Sequence, residues 1–119
     1  MDPQDHILDH YHNPRHNHAL FNATHQSDVK NLSCGDTLHI EVIVQNDIIQ
    51  QIGWTGTGCS ISQASASLLS EFAEGKSVKE IVGLEAKDIL LLLKIPLSPG
   101  RLKCGILSLE ALHKALIRL

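Results

Sequence analysis

Three thiols and one carboxylate are the residues of this chain best suited to do chemistry. Cys34 stands in Ser33-Cys34-Gly35-Asp36, Cys59 in Gly56-Thr57-Gly58-Cys59-Ser60, and Cys104 in Arg101-Leu102-Lys103-Cys104-Gly105. None lies in an apolar run, where a structural cysteine usually hides, and each falls at a turn or an expected helix start. A Cys-x-Asp turn can point a sulfur and a carboxylate at one ion. Three sulfurs and one oxygen suit tetrahedral zinc, or an iron–sulfur cluster with one weaker, replaceable ligand. The intervals are long and no Cys-x-x-Cys is present, so only a fold can bring these groups together. Cys59 lies just ahead of an expected helix and Cys104 at the expected start of another. The partial positive charge of a helix N-terminus attracts a sulfur anion at such positions. Lys103 and Arg101 would add to that attraction at Cys104.

Composition bounds the setting. The chain has 119 residues, the size of one domain, and is expected to form one over 1–119. It is 43% apolar but only 3% aromatic, so the core must be built from Leu, Ile, Val and Ala. A formal charge of −3 excludes a generally basic nucleic-acid binder, which needs a lysine and arginine excess to neutralise phosphate. The longest apolar runs, such as Ile89-Leu90-Leu91-Leu92-Leu93, are too short to span a bilayer. The N-terminus is polar and acidic rather than basic-then-apolar, so a cytoplasmic location is expected. An odd count of three cysteines in a reducing compartment argues against a disulfide framework and toward metal or thiol chemistry.

The elements that must position the thiols follow from periodicity. Asp2 can cap a first helix with Pro3 at its opening, Ile7, Leu8 and Tyr11 give it an apolar stripe, and Asn13-Pro14 ends it. Residues 24–33 can form an edge strand around Val29. Leu38, Ile40, Val42 and Val44 then alternate with His39, Glu41 and Ile43, which is strand periodicity. Gln45-Asn46-Asp47 turns the chain into a second strand, Ile48 to Thr55, with Ile48, Ile52 and Trp54 on one face. Gly56 and Gly58 give the exit torsional freedom and keep side chains away from a site. Ser60 to Glu74 is helical, with Ile61, Ala64, Leu68 and Phe72 on one side. Its other side is small, Ser62, Ser65, Ala66 and Ser67, and admits close packing. Gly75 stops it. Ser77-Val78-Lys79-Glu80 opens a short helix, and Glu85 to Lys94 gives another, largely buried one. Pro96, Pro99 and Gly100 make a rigid loop. A last helix runs from about Lys103 or Cys104, with Ile106, Leu109, Leu112, Leu116 and Leu119 as its stripe. The fold class is α+β: a small antiparallel sheet of about three strands packed with several helices.

Six of the eight histidines fall in the first 25 residues. His6 and His10 are four apart and share a helix face, so they can in principle hold a metal. With no cysteine or carboxylate beside them, the simpler reading is a solvated polar face.

The chain resembles the U-type iron–sulfur cluster assembly proteins, the family of IscU, SufU and the N-terminal domain of NifU, over nearly its whole length. Four blocks carry the likeness: Asp9-His10-Tyr11-His12-Asn13-Pro14-Arg15; Cys34-Gly35-Asp36; Gly56-Thr57-Gly58-Cys59-Ser60-Ile61-Ser62 with Ala64-Ser65-Ala66-Ser67; and Arg101-Leu102-Lys103-Cys104. The resemblance implies a SufE/NifU-like fold and a site of Cys34, Asp36, Cys59 and Cys104 that holds a zinc ion or a [2Fe–2S] cluster. IscU proteins carry histidine immediately before the third cysteine. Lys103 stands there instead, with Arg101 two before it, as in the SufU branch. SufU proteins typically carry an insertion between the second and third cysteines. Only 44 residues separate Cys59 from Cys104, as in IscU. Ile95-Pro96-Leu97-Ser98-Pro99-Gly100 departs from the proline-rich motif by which IscU engages its Hsc70-type chaperone, so that partner is not carried over.

Two functions follow from the resemblance, and a third does not need it. As a scaffold, the chain would accept sulfur from a cysteine desulfurase, build a cluster on the Cys3Asp site and pass it to a carrier or apo-protein acceptor, with Cys104 as sulfur acceptor. As a zinc-dependent sulfurtransferase of the SufU type, it would dock its zinc site on the desulfurase and free Cys34 to take the sulfur. A structural zinc module that binds a partner is the third. Lys103 favours zinc in the resting protein.

Overall fold

A computed structural model describes residues 3–31 and 35–117 of the chain. Within them the order is α1 (Pro3–His12), β1 (His25–Lys30), β2 (Thr37–Gln45), β3 (Ile48–Thr57), α2 (Ser60–Ala73), α3 (Val78–Val82), α4 (Ala86–Leu93) and α5 (Pro99–Leu116). The three strands form one antiparallel sheet in the order β1-β2-β3. α5 packs across β1 and β2, and α2 lies against β3 and alongside both α1 and α5. The α+β class and the three-strand sheet are as the sequence implies.

Asn46 and Asp47 both take left-handed torsions, φ 55° and 63°, and join β2 to β3 by the tight turn that suits the twist of paired strands. The register then slips. Ile43 faces Gln51 but Val44 faces Ile49, so Gln50 is left over as a bulge. That extra residue reverses which side chains point inward below it. Ile49 is therefore buried with Ile52 and Trp54, whereas the strand pattern puts Ile48 on that face.

The far edge of β3 is covered by the segment after α1. Trp54 N–H donates to His16 O at 2.9 Å, its indole Nε1–H donates to Arg15 O at 2.8 Å, and Asn17 Nδ2 donates to Trp54 O at 3.1 Å. Trp54, 1% exposed, is the aromatic member of an otherwise aliphatic core.

α1 turns a different face inward from its apolar stripe. Ile7 is buried, but Leu8 and Tyr11 are exposed, and His10 is 3% exposed. His10 thus does not belong to a solvated face. Its Nδ1 lies 2.7 Å from Ser67 Oγ, which also accepts from Arg15 N–H at 2.8 Å. The Ser67 hydrogen is then available to His10 Nδ1, which accepts only in the neutral ring. Burial holds the His10 pKa below the usual histidine value, and the Arg15 cation adds to that. Arg15 also donates to Asp9 Oδ2 at 2.7 Å, and that hydrogen bond holds the Asp9 carboxyl below its usual pKa. His6 stacks edge-on against His10, ring centroids 5.0 Å apart.

The small face of α2 is filled by its neighbours. Ser65 Oγ donates to Gly105 O at 2.5 Å and meets Ser108 Oγ at 3.1 Å, which brings α5 close to α2. α4 is less buried than its run of leucines suggests. Ile89 and Leu93 face the core, while Leu91 is 73% exposed. α5 starts at Pro99 with Ser98 as N-cap, earlier than the sequence pattern implies, because proline fits the first helical position and Arg101 and Leu102 N–H both reach Ser98 O.

Candidate metal centre

The strand ends and helix starts converge on one point. Asp36 precedes β2, and its backbone is anchored by Asn31 N–H donating to Asp36 O at 2.8 Å, while Gly35 N–H donates to Asn31 O at 2.7 Å. Gly35 has φ +77°, where a side chain would strain the backbone. Cys59 is the N-cap of α2, with extended torsions (φ −72°, ψ 170°). Cys104 comes from α5.

The ligand atoms of Asp36, Cys59 and Cys104 all lie within 4.8 Å of one another. That spacing lets them touch a single ion. Asp36 is 5% exposed and Cys104 5% exposed, and Cys59 is partly exposed. Among the described residues, Asp36 Oδ2 is buried without a hydrogen-bond partner. A buried carboxylate oxygen left unpaired is costly, and a bound cation removes that cost. Two sulfurs and one oxygen are donors that zinc accepts, so the residues fit a zinc ion. Cys34, the remaining ligand expected from sequence, lies outside the described residues.

One expectation about this site changes. Cys104 is not at a helix start. Five residues of α5 precede it, which places it in the second turn, beyond the first turn where the helix dipole acts. Arg101 and Lys103 are exposed on the same helix.

Gly56 and Gly58 act through space rather than torsion. Among the described residues, Gly35 and Gly75 are the glycines with positive φ. A Cβ on Gly58 would sit 2.8 Å from Asp36 Cγ and 2.5 Å from Ser62 Oγ, so glycine there is the room that the carboxylate occupies. A Cβ on Gly56 would strike the Thr37 carbonyl oxygen.

Sequence reasoning gave Ser62 no role beside the site. Its hydroxyl donates to Cys59 O at 3.1 Å and lies 3.9 Å from Cys59 Sγ. Its position three residues into the helix from Cys59 was the available signal. His6 and His10, the other candidate metal pair, are not joined by a third ligand among the described residues.

A zinc-dependent sulfurtransferase, SufU of Bacillus subtilis (strain 168), is 31% identical to this chain, covering 94% of it and 87% of the relative. An iron–sulfur cluster assembly scaffold protein, IscU of Thermotoga maritima, is 33% identical, covering 92% and 89%. These alignments run over 129 and 126 positions, longer than the 119 residues here, so both relatives carry residues that this chain lacks. Chain length therefore does not separate a SufU likeness from an IscU likeness. A SufU-type protein from Fervidobacterium islandicum AW-1, described as a candidate cluster assembly scaffold for the SUF system, superposes with a TM-score of 0.83. It is 26% identical and covers 94% of each chain. No described helix is long and apolar enough to cross a membrane. Residues 2–118 match the NifU-like N-terminal domain, and the chain belongs to that family.

Proposed function

We propose that this chain is an iron–sulfur cluster assembly protein that takes sulfur from a cysteine desulfurase and handles it at a site of Cys34, Asp36, Cys59 and Cys104. The observation that carries this reading is the buried Asp36 carboxylate oxygen, unpartnered among the described residues, in a group whose ligand atoms, from Asp36, Cys59 and Cys104, lie within 4.8 Å of one another. The cluster is cargo. A carboxylate binds iron less firmly than a thiolate would, which suits release to a carrier or apo-protein acceptor. Asp36→Ala is accordingly expected to hold a cluster longer than the parent protein.

A second reading is supported by Lys103 and by the likeness to a zinc-dependent sulfurtransferase. Here the site holds zinc at rest, and the chain activates the desulfurase without building a cluster. Zinc would fix the positions of the thiolates until one of them is exchanged. The protein works in the cytoplasm as one domain over 1–119, and its ligand set includes Cys34.

One experiment separates the readings. Protein purified in air is analysed for zinc, then supplied anaerobically with iron, cysteine and a desulfurase. An absorbing cluster retained on this chain supports the scaffold. Stimulated desulfurase turnover without a cluster supports the sulfurtransferase. Neither result, in protein that also lacks zinc, rejects both.

A further inference from the structure

Cys59 and Ser62 are paired at the opening of α2. Cys59 is the N-cap and Ser62 the third helical residue. A serine, threonine, asparagine or aspartate at the N-cap accepts from a first-turn N–H, but Cys59 makes no such side-chain bond. Its sulfur is grouped with Asp36 and Cys104 instead. Ser62, 6% exposed, places its Oγ 3.9 Å from Cys59 Sγ. The same oxygen borders Asp36 across the bare face of Gly58, since a Cβ there would lie 2.5 Å from Ser62 Oγ and 2.8 Å from Asp36 Cγ.

The Ser62 hydrogen is not committed. It is donated to Cys59 O at 3.1 Å, but that carbonyl also accepts from Gln63 N–H at 3.2 Å, the bond that continues the helix. The hydrogen can therefore leave without stranding a buried acceptor. Rotation about the Cβ–Oγ bond is enough, because a hydroxyl hydrogen turns to suit its partners. The state of the sulfur decides where it points. A thiol is itself the weak donor, and the Cys59 S–H is directed at Ser62 Oγ. A metal-bound thiolate has no hydrogen and becomes a charged acceptor. Hydrogen bonds to ionised groups are shorter and about twice as strong as neutral ones, which draws the Ser62–Cys59 contact in.

We propose that Ser62 is a positioning residue for Cys59: its hydroxyl turns from Cys59 O to the Cys59 thiolate when the site holds a metal, and fixes that sulfur toward Asp36 and Cys104. The proposal rests on the metal-site reading above and needs no choice between zinc and a cluster. Outer partners of this kind orient metal ligands and set how much charge they give the metal.

The test uses cobalt(II), which reports on its ligands by absorption where zinc is silent, loaded anaerobically into the full-length protein. A hydrogen bond to a ligating sulfur lowers the energy of its lone pair and moves sulfur-to-cobalt charge transfer to shorter wavelength. Ser62→Ala should therefore move the near-ultraviolet band to longer wavelength. Zinc affinity, read by chelator competition, should fall about tenfold, the lower end of the range for losing a partner of a metal ligand. Alanine favours helix more than serine does, and circular dichroism of the metal-free protein checks that the variant folds. Gln63→Ala is the control. It removes the neighbouring bond from Gln63 Nε2 to Gly58 O, 3.2 Å, and should leave the band in place. An unmoved band in Ser62→Ala overturns the proposal at any zinc affinity, and so does an equal shift in Gln63→Ala. A parent protein that takes up neither cobalt nor zinc rejects the metal-site reading itself, and the proposal falls with it.

Discussion

Gly58→Ala is the substitution whose effect can be worked most directly from the geometry. The added Cβ would lie 2.5 Å from Ser62 Oγ, 2.8 Å from Asp36 Cγ and 3.0 Å from Asp36 Oδ1. Non-bonded carbons rest at about 3.5–4.0 Å, so the carboxylate must withdraw by roughly 1 Å. It has little freedom to do so, because Asp36 is buried and its carbonyl is tied to Asn31 N–H. Gly58 does not have the positive φ of Gly35 or Gly75, so alanine meets no backbone strain there. Crowding should cost about 1–3 kcal/mol of fold stability. The stiffer unfolded chain offsets about 0.4–1 kcal/mol of that. Perturbing the surroundings of a metal ligand typically lowers affinity by about 10–100-fold. That is about 1.4–2.7 kcal/mol of binding. Zinc affinity measured by competition with a chromophoric chelator, beside urea unfolding of the metal-free protein, gives both quantities. Gly100→Ala is the control, since nothing lies within 4 Å of its added Cβ. A Gly58→Ala protein that keeps its zinc affinity within about threefold of the parent would refute the argument that glycine there makes room for the Asp36 ligand.

Three further outcomes follow from the packing. The depressed His10 pKa means that the unfolded chain takes up a proton more readily than the folded one. Its contribution is therefore fully present above the unfolded histidine value near 6.5 and is lost as pH falls toward the folded value. The urea midpoint should drop between pH 7 and pH 5, and less so in His10→Asn. Ser65→Ala removes the donor to Gly105 O and the partner of Ser108, both buried, and should cost about 1–3 kcal/mol by urea unfolding. Lys94→Gly replaces an exposed left-handed residue at the end of α4 and should stabilise by about 0.5–1 kcal/mol. In a domain of this size that raises the melting midpoint by about 2–4 °C, read by thermal circular dichroism.

Much of the fold was legible because local rules carried it. The turn at Asn46-Asp47, the stop at Gly75 and the Ser77 cap, whose hydroxyl accepts from Glu80 N–H at 3.1 Å, depend on near neighbours alone. Hydrophobic periodicity set the α+β class, and the family likeness, resting on four sequence blocks, implied Cys34, Asp36, Cys59 and Cys104 as ligands.

What sequence could not decide was settled by contacts between distant residues. The strand pattern put Ile48 inside. A one-residue bulge at Gln50, visible only against β2, put Ile49 there instead. The apolar stripe pointed Leu8 and Tyr11 inward. α1 buries His10 because Ser67, 57 residues away, offers it a hydrogen bond. Helix periodicity began the last helix at about Lys103 or Cys104, whereas Pro99 and Ser98 start it about a turn earlier and carry the Cys104 thiol away from the dipole. The sequence by itself determined which side chains can bind a metal, because ligand chemistry belongs to residue type. Only the tertiary structure brought three of them within 4.8 Å, left Asp36 Oδ2 unpaired among the described residues, and packed Leu97 against the bare face of Gly105, because proximity and burial belong to the packed chain.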